Sequence, residues 1–394
     1  MALSRRAFAR TAALGAAGAL TGAWIGGRGR EHAMWSLVEP SLEAVEPGLV
    51  ALASNENPLG PSDGVMQVVR GTLGDGGRAA GRYSTHTRDL IDAIAHAHGV
   101  KPENVVLGCG STQLLRSATH LFTAADKPLV ATIPTYEECA AYAGMMQRPV
   151  RTAALDRSLT IDLDRLAAAS QGAGLVFYCN PNNPTATYVG PRASRDVFAR
   201  ILRDSPDTTI LVDEAYFDYV TDPEHDTHIP QAVVTPQLIV TRTFSKVHGM
   251  AGLRLGYAIG HRETIKKLAD WDGGSGTGSL NVIAIQAGIA AITQEPSIVA
   301  AERARNAEVR EFTMDWFARR GMHPAASQAN FMFVEIGQPA KRFRDACRAR
   351  HVLVGRDFPP FERSHCRISF GTMQEMTRAV AVFDKVLGRR SSAA

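Results

Sequence analysis

The sequence predicts an α/β fold, in which a large domain with a mostly parallel central sheet is followed by a smaller C-terminal α+β domain. Two observations support this prediction. Short apolar runs alternate with longer amphipathic segments over most of the chain, as in parallel sheets covered by helices. The C-terminal part then changes to the order strand, helix, strand, strand, helix. The 394 residues, 45% hydrophobic and 21% charged, are enough for both domains.

Each helix is predicted from an amphipathic period with start and stop signals, and each strand from a short apolar run bounded by turn residues. Thr87 is the predicted N-cap of one helix, which Gly99 ends, and Ser111 is the predicted N-cap of another. The predicted helices are Gly64–Leu73, Thr87–His98, one from Ser111 to Phe122, Tyr136–Met146, Pro191–Asp204, a long helical region from Asn281 to Arg320, Pro339–Arg350 and Met373–Val386. The predicted strands are Asn104–Leu107, Pro128–Thr132, Gly174–Cys179, Thr209–Asp213, Gln237–Arg242, Asn330–Glu335, His351–Val354 and Cys366–Phe370.

Changes of composition divide the chain into four predicted parts. Residues 1–32 form a leader, and residues 33–60 form a polar, proline-rich arm that ends in turn signals. Residues 61–280 form the large domain, and residues 281–394 form the small domain. The glycine-rich run Gly273–Gly278 lies near this boundary, and we expect it to be a hinge or a loop close to the substrate.

The leader carries the net positive charge of the chain. The formal charge is +4, and residues 1–32 account for all of it with five arginines and one glutamate. The remainder is neutral overall, so nothing in it indicates a nucleic acid as partner. Arg5-Arg6 before an apolar stretch resembles a twin-arginine signal, which predicts export to the periplasm, or a cytoplasmic location if the leader does not function. The stretch is too short to predict an integral membrane span.

The cysteines indicate neither a disulfide framework nor a metal site. They are odd in number, widely spaced and without a CxxC pair, which argues against paired thiols and against structural zinc. We therefore expect all five to be small core residues. They are Cys109, Cys139, Cys179, Cys347 and Cys366.

Polar clusters follow three of the predicted strands, and in an open α/β sheet ligands bind beyond the carboxyl ends of the strands. Gly110-Ser111-Thr112 lies between a strand and a helix, where backbone N–H groups and hydroxyls suit a phosphate. Asn180–Thr185 follows a second strand, and its prolines restrict the backbone around an asparagine side chain. Asp213 ends a third strand, where a buried carboxylate needs a cation or a protonated ring nitrogen as its partner.

Lys246 follows a fourth strand in the run Thr243-Phe244-Ser245-Lys246, and Arg254 lies eight residues further on. Small and apolar neighbours desolvate the lysine, which favours the neutral amine that attacks a carbonyl. A lone lysine at a strand end is more often a surface residue. Together, however, a phosphate cradle, an aromatic ring, an amide, an acid with a nearby phenol, a lysine and an arginine match the needs of pyridoxal 5′-phosphate.

The motifs resemble those of fold-type I, class I/II aminotransferases, and most closely those of histidinol-phosphate aminotransferases. The resemblance covers about residues 50–385, with every motif in family order. It implies a pyridoxal-phosphate-dependent aminotransferase domain, a homodimer, and transfer of an amino group between a histidinol-phosphate-like or aromatic amine and a 2-oxo acid such as 2-oxoglutarate. The motifs are Asn55 to Pro61, Asn180 to Ala186, Val212 to Tyr216, Arg242 to Lys246 and Arg367 to Thr372.

The resemblance also implies roles for individual residues. Lys246 is the implied Schiff-base lysine and proton carrier, Asp213 the partner of the ring nitrogen, and Tyr216 a contact of the ring oxygen. The other implied cofactor contacts are Ser111, Thr112, Ser245 and Arg254 at the phosphate, Tyr136 stacked on the ring, Asn183 at the ring oxygen, and Tyr83 at the phosphate of the neighbouring subunit. The implied substrate-binding residues are Arg367, which suits bidentate binding of an anion, Arg356 and Asn57.

Three departures from the family pattern affect what the resemblance implies. Ala186 replaces the usual glycine, so that turn must use a negative φ or bear some strain. Val247 replaces a smaller residue beside the lysine. Val354–Pro360 differs from the usual family segment and shifts the spacing of Arg356, in the part that selects the substrate side chain. The same residues would also serve a pyridoxal-phosphate-dependent lyase or decarboxylase, or a non-catalytic protein that binds this cofactor.

Overall fold

A computed structural model of the chain has the predicted α/β architecture. The leader, residues 33–47 of the arm and the loop Gly273–Gly278 lie outside the part that the structure describes, and so does the predicted twin-arginine signal. Among the described residues, no single helix combines the length and hydropathy that crossing a lipid bilayer requires. The described residues are 48–74, 77–84, 86–271, 280–293 and 296–388.

The strands agree with the predicted apolar runs over most of the sheet. Three strands were not predicted, namely Val50–Leu52, Val150–Ala154 and Gly256–Gly260. The strands in chain order are β1 Val50–Leu52, β2 Val105–Gly108, β3 Leu129–Ile133, β4 Val150–Ala154, β5 Leu175–Cys179, β6 Thr209–Asp213, β7 Leu238–Thr243, β8 Gly256–Gly260, β9 Phe331–Glu335, β10 Val352–Val354 and β11 His365–Ser369.

The helices confirm the predicted pattern with some corrections. The predicted region from Asn281 to Arg320 is divided into two helices, and helices at 163–169, 229–232 and 262–271 were not predicted. The helices are α1 Asp63–Gly74, α2 Thr87–Ala97, α3 Gly110–Phe122, α4 Glu138–Met145, α5 Leu163–Ala169, α6 Pro191–Asp204, α7 Ile229–Ala232, α8 Arg262–Trp271, α9 Val282–Thr293, α10 Pro296–Ala318, α11 Ala340–Arg348 and α12 Met373–Leu387.

Two predicted helix caps were wrong. Thr87 is the first residue of α2, and His86 occupies the N-cap position without a side-chain cap. Thr87 is buried instead, so its hydroxyl faces the interior. Ser111 lies inside the first turn of α3, because the helix begins at Gly110 and Cys109 is its N-cap. The hydroxyl of Ser111 therefore stands next to the free N–H groups of this helix end.

The central sheet has the strand order β2-β8-β7-β6-β5-β3-β4. Strands β3 to β7 pair in parallel, whereas β8 runs antiparallel to both of its neighbours, β2 and β7. Strand β2 consequently points in the same direction as the parallel strands. The carboxyl ends of six strands therefore meet at one edge of the sheet, and the predicted mostly parallel sheet is confirmed.

Alternate residues of each central strand enter two hydrophobic cores on opposite faces of the sheet. Val176 and Val212 belong to one core, and Phe177 and Leu211 belong to the other. Burial of both faces explains the continuous apolar runs in the sequence. Four of the five cysteines are buried as expected, whereas Cys109 is half-buried.

A third core belongs to the C-terminal elements. It joins β1 with β9, β10, β11 and the helices α10 to α12. Helix α9, by contrast, packs into one of the two cores at the central sheet. We therefore propose that the small domain begins with α10 and includes β1, so that its boundary lies beyond residue 281. A domain boundary at this position would place residues 50–52 of the arm in the small domain.

Candidate active site

An anion cradle lies where β2 ends and α3 begins. Gly110 starts this helix with a φ of +69°, and a Cβ added to it would lie 2.5 Å from Nη2 of Arg254. Nη1 of Arg254 lies 3.4 Å from Oγ of Ser245. Ser111 and Thr112 follow Gly110 in the first turn, where unpaired N–H groups and the helix dipole favour an anion. The structure thus brings the four predicted phosphate contacts together.

Tyr136 connects this cradle with Asp213. Its side chain is hydrogen-bonded to that of Thr112, and burial raises the pKa of Tyr136 to about 12. The negative charge of Asp213 raises the pKa in the same direction, so the two groups are within electrostatic reach of each other. An aromatic side chain that is bonded to the phosphate cradle and senses the charge of the acid could hold a planar ring.

Asp213 is a buried carboxylate at the end of β6, with 2% of its surface exposed. Oδ1 accepts a hydrogen bond of 3.1 Å from Oγ1 of Thr241. Burial raises the pKa of Asp213 to about 6, although the bond from Thr241 and the charge of Lys246 lower it. No arginine or lysine in the described part of the chain forms an ion pair with this carboxylate. Its electrostatic environment therefore favours an added cation.

Lys246 lies beyond the end of β7, where its amine is half-buried. Nζ lies 3.4 Å from the carbonyl oxygen of Ser54 and 5.6 Å from the ring centre of Tyr216. Burial lowers the pKa of Lys246 to about 8, and the positive charge of Arg367 lowers it in the same direction. A substantial fraction of the amine is consequently neutral near physiological pH, as a nucleophile requires.

Asn55 is a site residue whose role could not be predicted from the sequence, although it lies in the motif from Asn55 to Pro61. Its Nδ2 donates a 3.1 Å hydrogen bond to the hydroxyl of Tyr216. Ser369 donates from Oγ to Oδ1 of Asn55 at 2.8 Å, and also accepts from the backbone N–H of Asn55 at 2.9 Å. Burial raises the pKa of Tyr216. The phenol is therefore held neutral and in a fixed position.

Arg367 lies on β11 as a buried cation that has no acidic partner among the residues that the structure describes. Its Nη1 donates a 2.9 Å hydrogen bond to Oδ1 of Asn183, and its Nη2 donates to the carbonyl of Ala53. Its Nε has no hydrogen-bond partner within the described ranges of the chain. Burial lowers the pKa of Arg367 to about 10, and no carboxylate of the described residues forms an ion pair with it. An unpaired, buried guanidinium has the properties of an anion-binding group.

Arg356 and Asn57 make contacts that were not predicted from the sequence. Arg356 is paired with Glu137, with Nη2 and Oε2 2.5 Å apart. Both ends of the Asn57 amide are occupied within the protein, since Nδ2 donates to the carbonyl of Val247 at 2.9 Å and Oδ1 accepts from the N–H of Leu59 at 2.9 Å.

Tyr83 and Ala186 differ from the other site positions. Tyr83 is 94% exposed, and the structure does not bring it to the other predicted contacts. Ala186 has a φ of +62°. Of the two possibilities predicted for this turn, a negative φ or a strained backbone, the second is therefore correct. Its fully buried methyl group packs in one cluster with Tyr216 and Phe331, a contact that a glycine could not make. The packing of the methyl group offsets part of the backbone strain.

The family model for class I and II aminotransferases matches residues 47–383. The chain belongs to this family. The histidinol-phosphate aminotransferase of Symbiobacterium thermophilum is 32% identical over 343 residues, covering 86% of this chain and 91% of that protein. The corresponding protein of Chromohalobacter salexigens is 33% identical over 360 residues, covering 89% and 98%. The crystal structure of histidinol-phosphate aminotransferase from Sinorhizobium meliloti in complex with pyridoxal-5′-phosphate has a TM-score of 0.77 and 25% identity, covering 86% and 91%.

The protein is therefore a pyridoxal-5′-phosphate-dependent aminotransferase, and its substrates are small molecules. Its residues fit the cofactor on structural grounds. The cradle around Gly110 accepts a phosphate, and the unpaired carboxylate of Asp213 suits a protonated pyridine nitrogen. When bound, the cofactor supplies an electron-withdrawing ring that stabilises negative charge on the substrate carbon.

Proposed function

We propose that the enzyme transfers an amino group between an amine that carries an anionic group, of histidinol-phosphate or aromatic amino-acid type, and a 2-oxo acid such as 2-oxoglutarate. The observation that supports this proposal is the environment of the Arg367 side chain. In the described part of the chain this buried guanidinium has a free Nε and no acidic partner, which is costly unless an anion binds there. The substrates named here supply that anion as a carboxylate or a phosphate.

The site also supports a division of roles among its own residues. Lys246 would move the proton at the substrate carbon, because its lowered pKa lets the amine both accept and return a proton near pH 8. Asp213 would keep the ring nitrogen protonated. Asn183 would donate from Nδ2 to the ring oxygen, since its Oδ1 already accepts from Arg367. Tyr216 would donate to the same oxygen, with Asn55 as its own donor.

A screen of single half-reactions tests the substrate proposal. The absorbance of the bound cofactor is followed while many amines and amino acids are added one at a time. We expect conversion with donors that carry a carboxylate or phosphate and little conversion with cationic amines that lack one. Arg367→Gln should lower kcat/KM by roughly 100-fold, and Arg367→Lys, which keeps the charge but not the fork, by less. Equal turnover by wild type and Arg367→Gln would refute the proposal.

We further propose that the protein works as a homodimer. The support is Tyr83, an aromatic side chain left 94% exposed, which resembles the family tyrosine that reaches the phosphate of the neighbouring subunit. Light scattering at several concentrations gives the mass. If Tyr83 binds across the subunits, Tyr83→Phe should weaken cofactor binding while the mass remains that of a dimer. A protein that stays monomeric at all concentrations contradicts the proposal.

Export by the twin-arginine route is a separate proposal, and it is supported by the Arg5-Arg6 pair in the leader. A fusion of residues 1–32 to a reporter tests this proposal, if the reporter is active only in the periplasm. We expect activity from the native leader and loss of activity when both arginines are replaced by lysine. Equal reporter activity in both fusions, or none in either, would indicate that the leader does not function as this signal.

A further inference from the structure

Glu137 directly follows the aromatic residue Tyr136 and is bound to Arg356 in the site. Oε2 of Glu137 lies 2.5 Å from Nη2 of Arg356, and the two side chains are 21% and 38% exposed. The pair connects the residue directly before α4 with the segment after β10. These two segments are distant in sequence. Because the pair is neither deeply buried nor fully solvated, exchange of its partner is energetically accessible.

The pair lies next to the anion-binding arginine. The guanidinium carbon of Arg356 is 4.4 Å from the ring centre of Phe358, and that of Arg367 is 4.8 Å from the same ring. Besides the effect of burial, the charge of Arg356 lowers the pKa of Arg367 and the charge of Glu137 raises it. Two guanidinium groups and one carboxylate thus share a single small region, with one positive charge left uncompensated.

We propose that Glu137 is a specificity-determining residue, which holds Arg356 until a substrate with a second anionic group takes its place. The inference rests on the proposed function, in which Arg367 binds the first anion. The distal carboxylate of 2-oxoglutarate would replace Glu137 as the partner of Arg356. A substrate with a neutral side chain would leave the ion pair closed, so that no arginine is desolvated without a partner.

The expected consequence is a competition between Glu137 and dicarboxylic substrates. Replacing Glu137 by glutamine removes the competing carboxylate but keeps the size and the hydrogen-bonding capacity of the side chain. A partly exposed ion pair contributes little free energy. The gain in affinity of Glu137→Gln for a dicarboxylate should therefore be modest, about three- to fivefold. Loss of Arg356 should act in the opposite direction and more strongly, because it removes the charge that binds the distal carboxylate.

The experiment compares 2-oxoglutarate with 2-oxo-4-methylpentanoate as acceptors for one common donor. We expect Glu137→Gln to lower KM for 2-oxoglutarate about three- to fivefold and Arg356→Gln to raise it roughly tenfold or more, with the neutral acceptor changed less than about twofold. The double variant should behave like Arg356→Gln. A Glu137→Gln effect that is equal for both acceptors, or that persists without Arg356, would overturn the inference.

A matched control and a binding measurement complete the test. Glu138, the next residue, is paired with Arg116 at 2.5 Å, whereas Arg356 is paired with Glu137, so Glu138→Gln should leave the preference unchanged. Calorimetry on the holoenzyme with succinate and butyrate should show the same ratio of affinities as the kinetics. If the wild type aminates neither acceptor, the proposed function fails, and the succinate titrations of the two variants still decide the role of Glu137.

Discussion

Arg254 occupies the space that a side chain on Gly110 would need. A Cβ on Gly110 would lie 2.5 Å from Nη2 and 3.1 Å from Cζ of Arg254, and Gly110 also has the left-handed φ of +69°. The two residues belong to segments that are far apart in sequence but meet at the same edge of the sheet. Their contact brings the guanidinium directly to the helix end, where both attract the same anion.

Replacement of Gly110 by alanine should therefore weaken binding of pyridoxal 5′-phosphate. The methyl group displaces the guanidinium of Arg254, and we expect a loss of affinity of roughly tenfold or more. The positive φ should also cost about 1 kcal/mol of stability. Titration of the cofactor-free enzyme with cofactor measures the first effect, and urea unfolding measures the second.

Gly252 provides the control for this substitution. It lies two residues before Arg254, but a Cβ added there has no atom within 4 Å and its φ is not in the left-handed region. Gly252→Ala should leave the cofactor affinity unchanged within about twofold. A similar loss of affinity in Gly110→Ala and Gly252→Ala would mean that displacement of Arg254 is not the cause.

Asp213→Asn should stabilise the cofactor-free protein while it lowers activity. Burial raises the pKa of Asp213 from 3.8 to about 6, so ionisation of the folded state costs stability as pH rises through this window. Asparagine does not ionise, and the variant should be more stable than the wild type by roughly 1–3 kcal/mol at pH 7. The difference should vanish below about pH 4. Urea unfolding at both pH values measures it.

The activity of Asp213→Asn separates the effect of the carboxylate on catalysis from its effect on stability. We expect kcat to fall by roughly 100- to 1000-fold, since the ring nitrogen loses its charged partner. Thr241→Val provides a graded comparison, because it removes the 3.1 Å bond to Oδ1 and should raise the pKa of Asp213 further. Asp213→Asn with wild-type activity would exclude Asp213 as that partner.

The central sheet was predictable because its strands are buried on both faces. Strand β4 was not, since Ala153 is its only buried residue and Val150–Ala154 contains no apolar run. Strand β8 begins and ends with glycine, a signal that favours turns. Strand β1 pairs with β10, which follows it far along the chain, as in the pair Val50 and Val352, and no local pattern encodes such a pairing.

Site residues at strand ends were predictable for the same reason, since the topology determines where strand ends meet. The hydrogen bonds that join side chains within the site were not predictable in this way. Asn55 reaches Tyr216 across 161 positions, and Glu137 reaches Arg356 across 219. Each of these contacts depends on the packing of the arm or the C-terminal elements onto the sheet. A motif can indicate that such a residue matters, but not which group it binds.

The lowered pKa of Lys246 predicts the pH dependence of cofactor attachment. The amine of Lys246 must be neutral to attack the carbonyl group of the cofactor. Because its pKa is about 8, the neutral form becomes abundant at a lower pH than in an ordinary lysine, whose pKa is about 10.4. The rate of covalent attachment to the cofactor-free enzyme should rise with pH and level off above about pH 8. Absorbance after rapid mixing across a pH series measures this rate.

Arg367→Gln tests the cause of that pKa. The positive charge of Arg367 lowers the pKa of Lys246, second only to burial, so its removal should move the midpoint of attachment to higher pH. Thr377→Val, an exposed position on α12 whose hydroxyl donates to the carbonyl of Met373, should leave the midpoint unchanged. A midpoint that moves to lower pH in Arg367→Gln would contradict the electrostatic explanation.

Asn57 allows a distinction between positioning and substrate binding. Its Nδ2 donates to the carbonyl of Val247, the residue after Lys246, while its Oδ1 accepts from Leu59. If Asn57 positions the lysine, Asn57→Ala should lower kcat roughly tenfold with little change in KM, because a partly buried hydrogen bond that orients the backbone is lost. Asn57→Asp keeps the acceptor for Leu59 but replaces the donor to Val247 by a charged oxygen, so it should reproduce at least this loss. A rise in KM at constant kcat in either variant would instead support the substrate-binding role that the family resemblance implies.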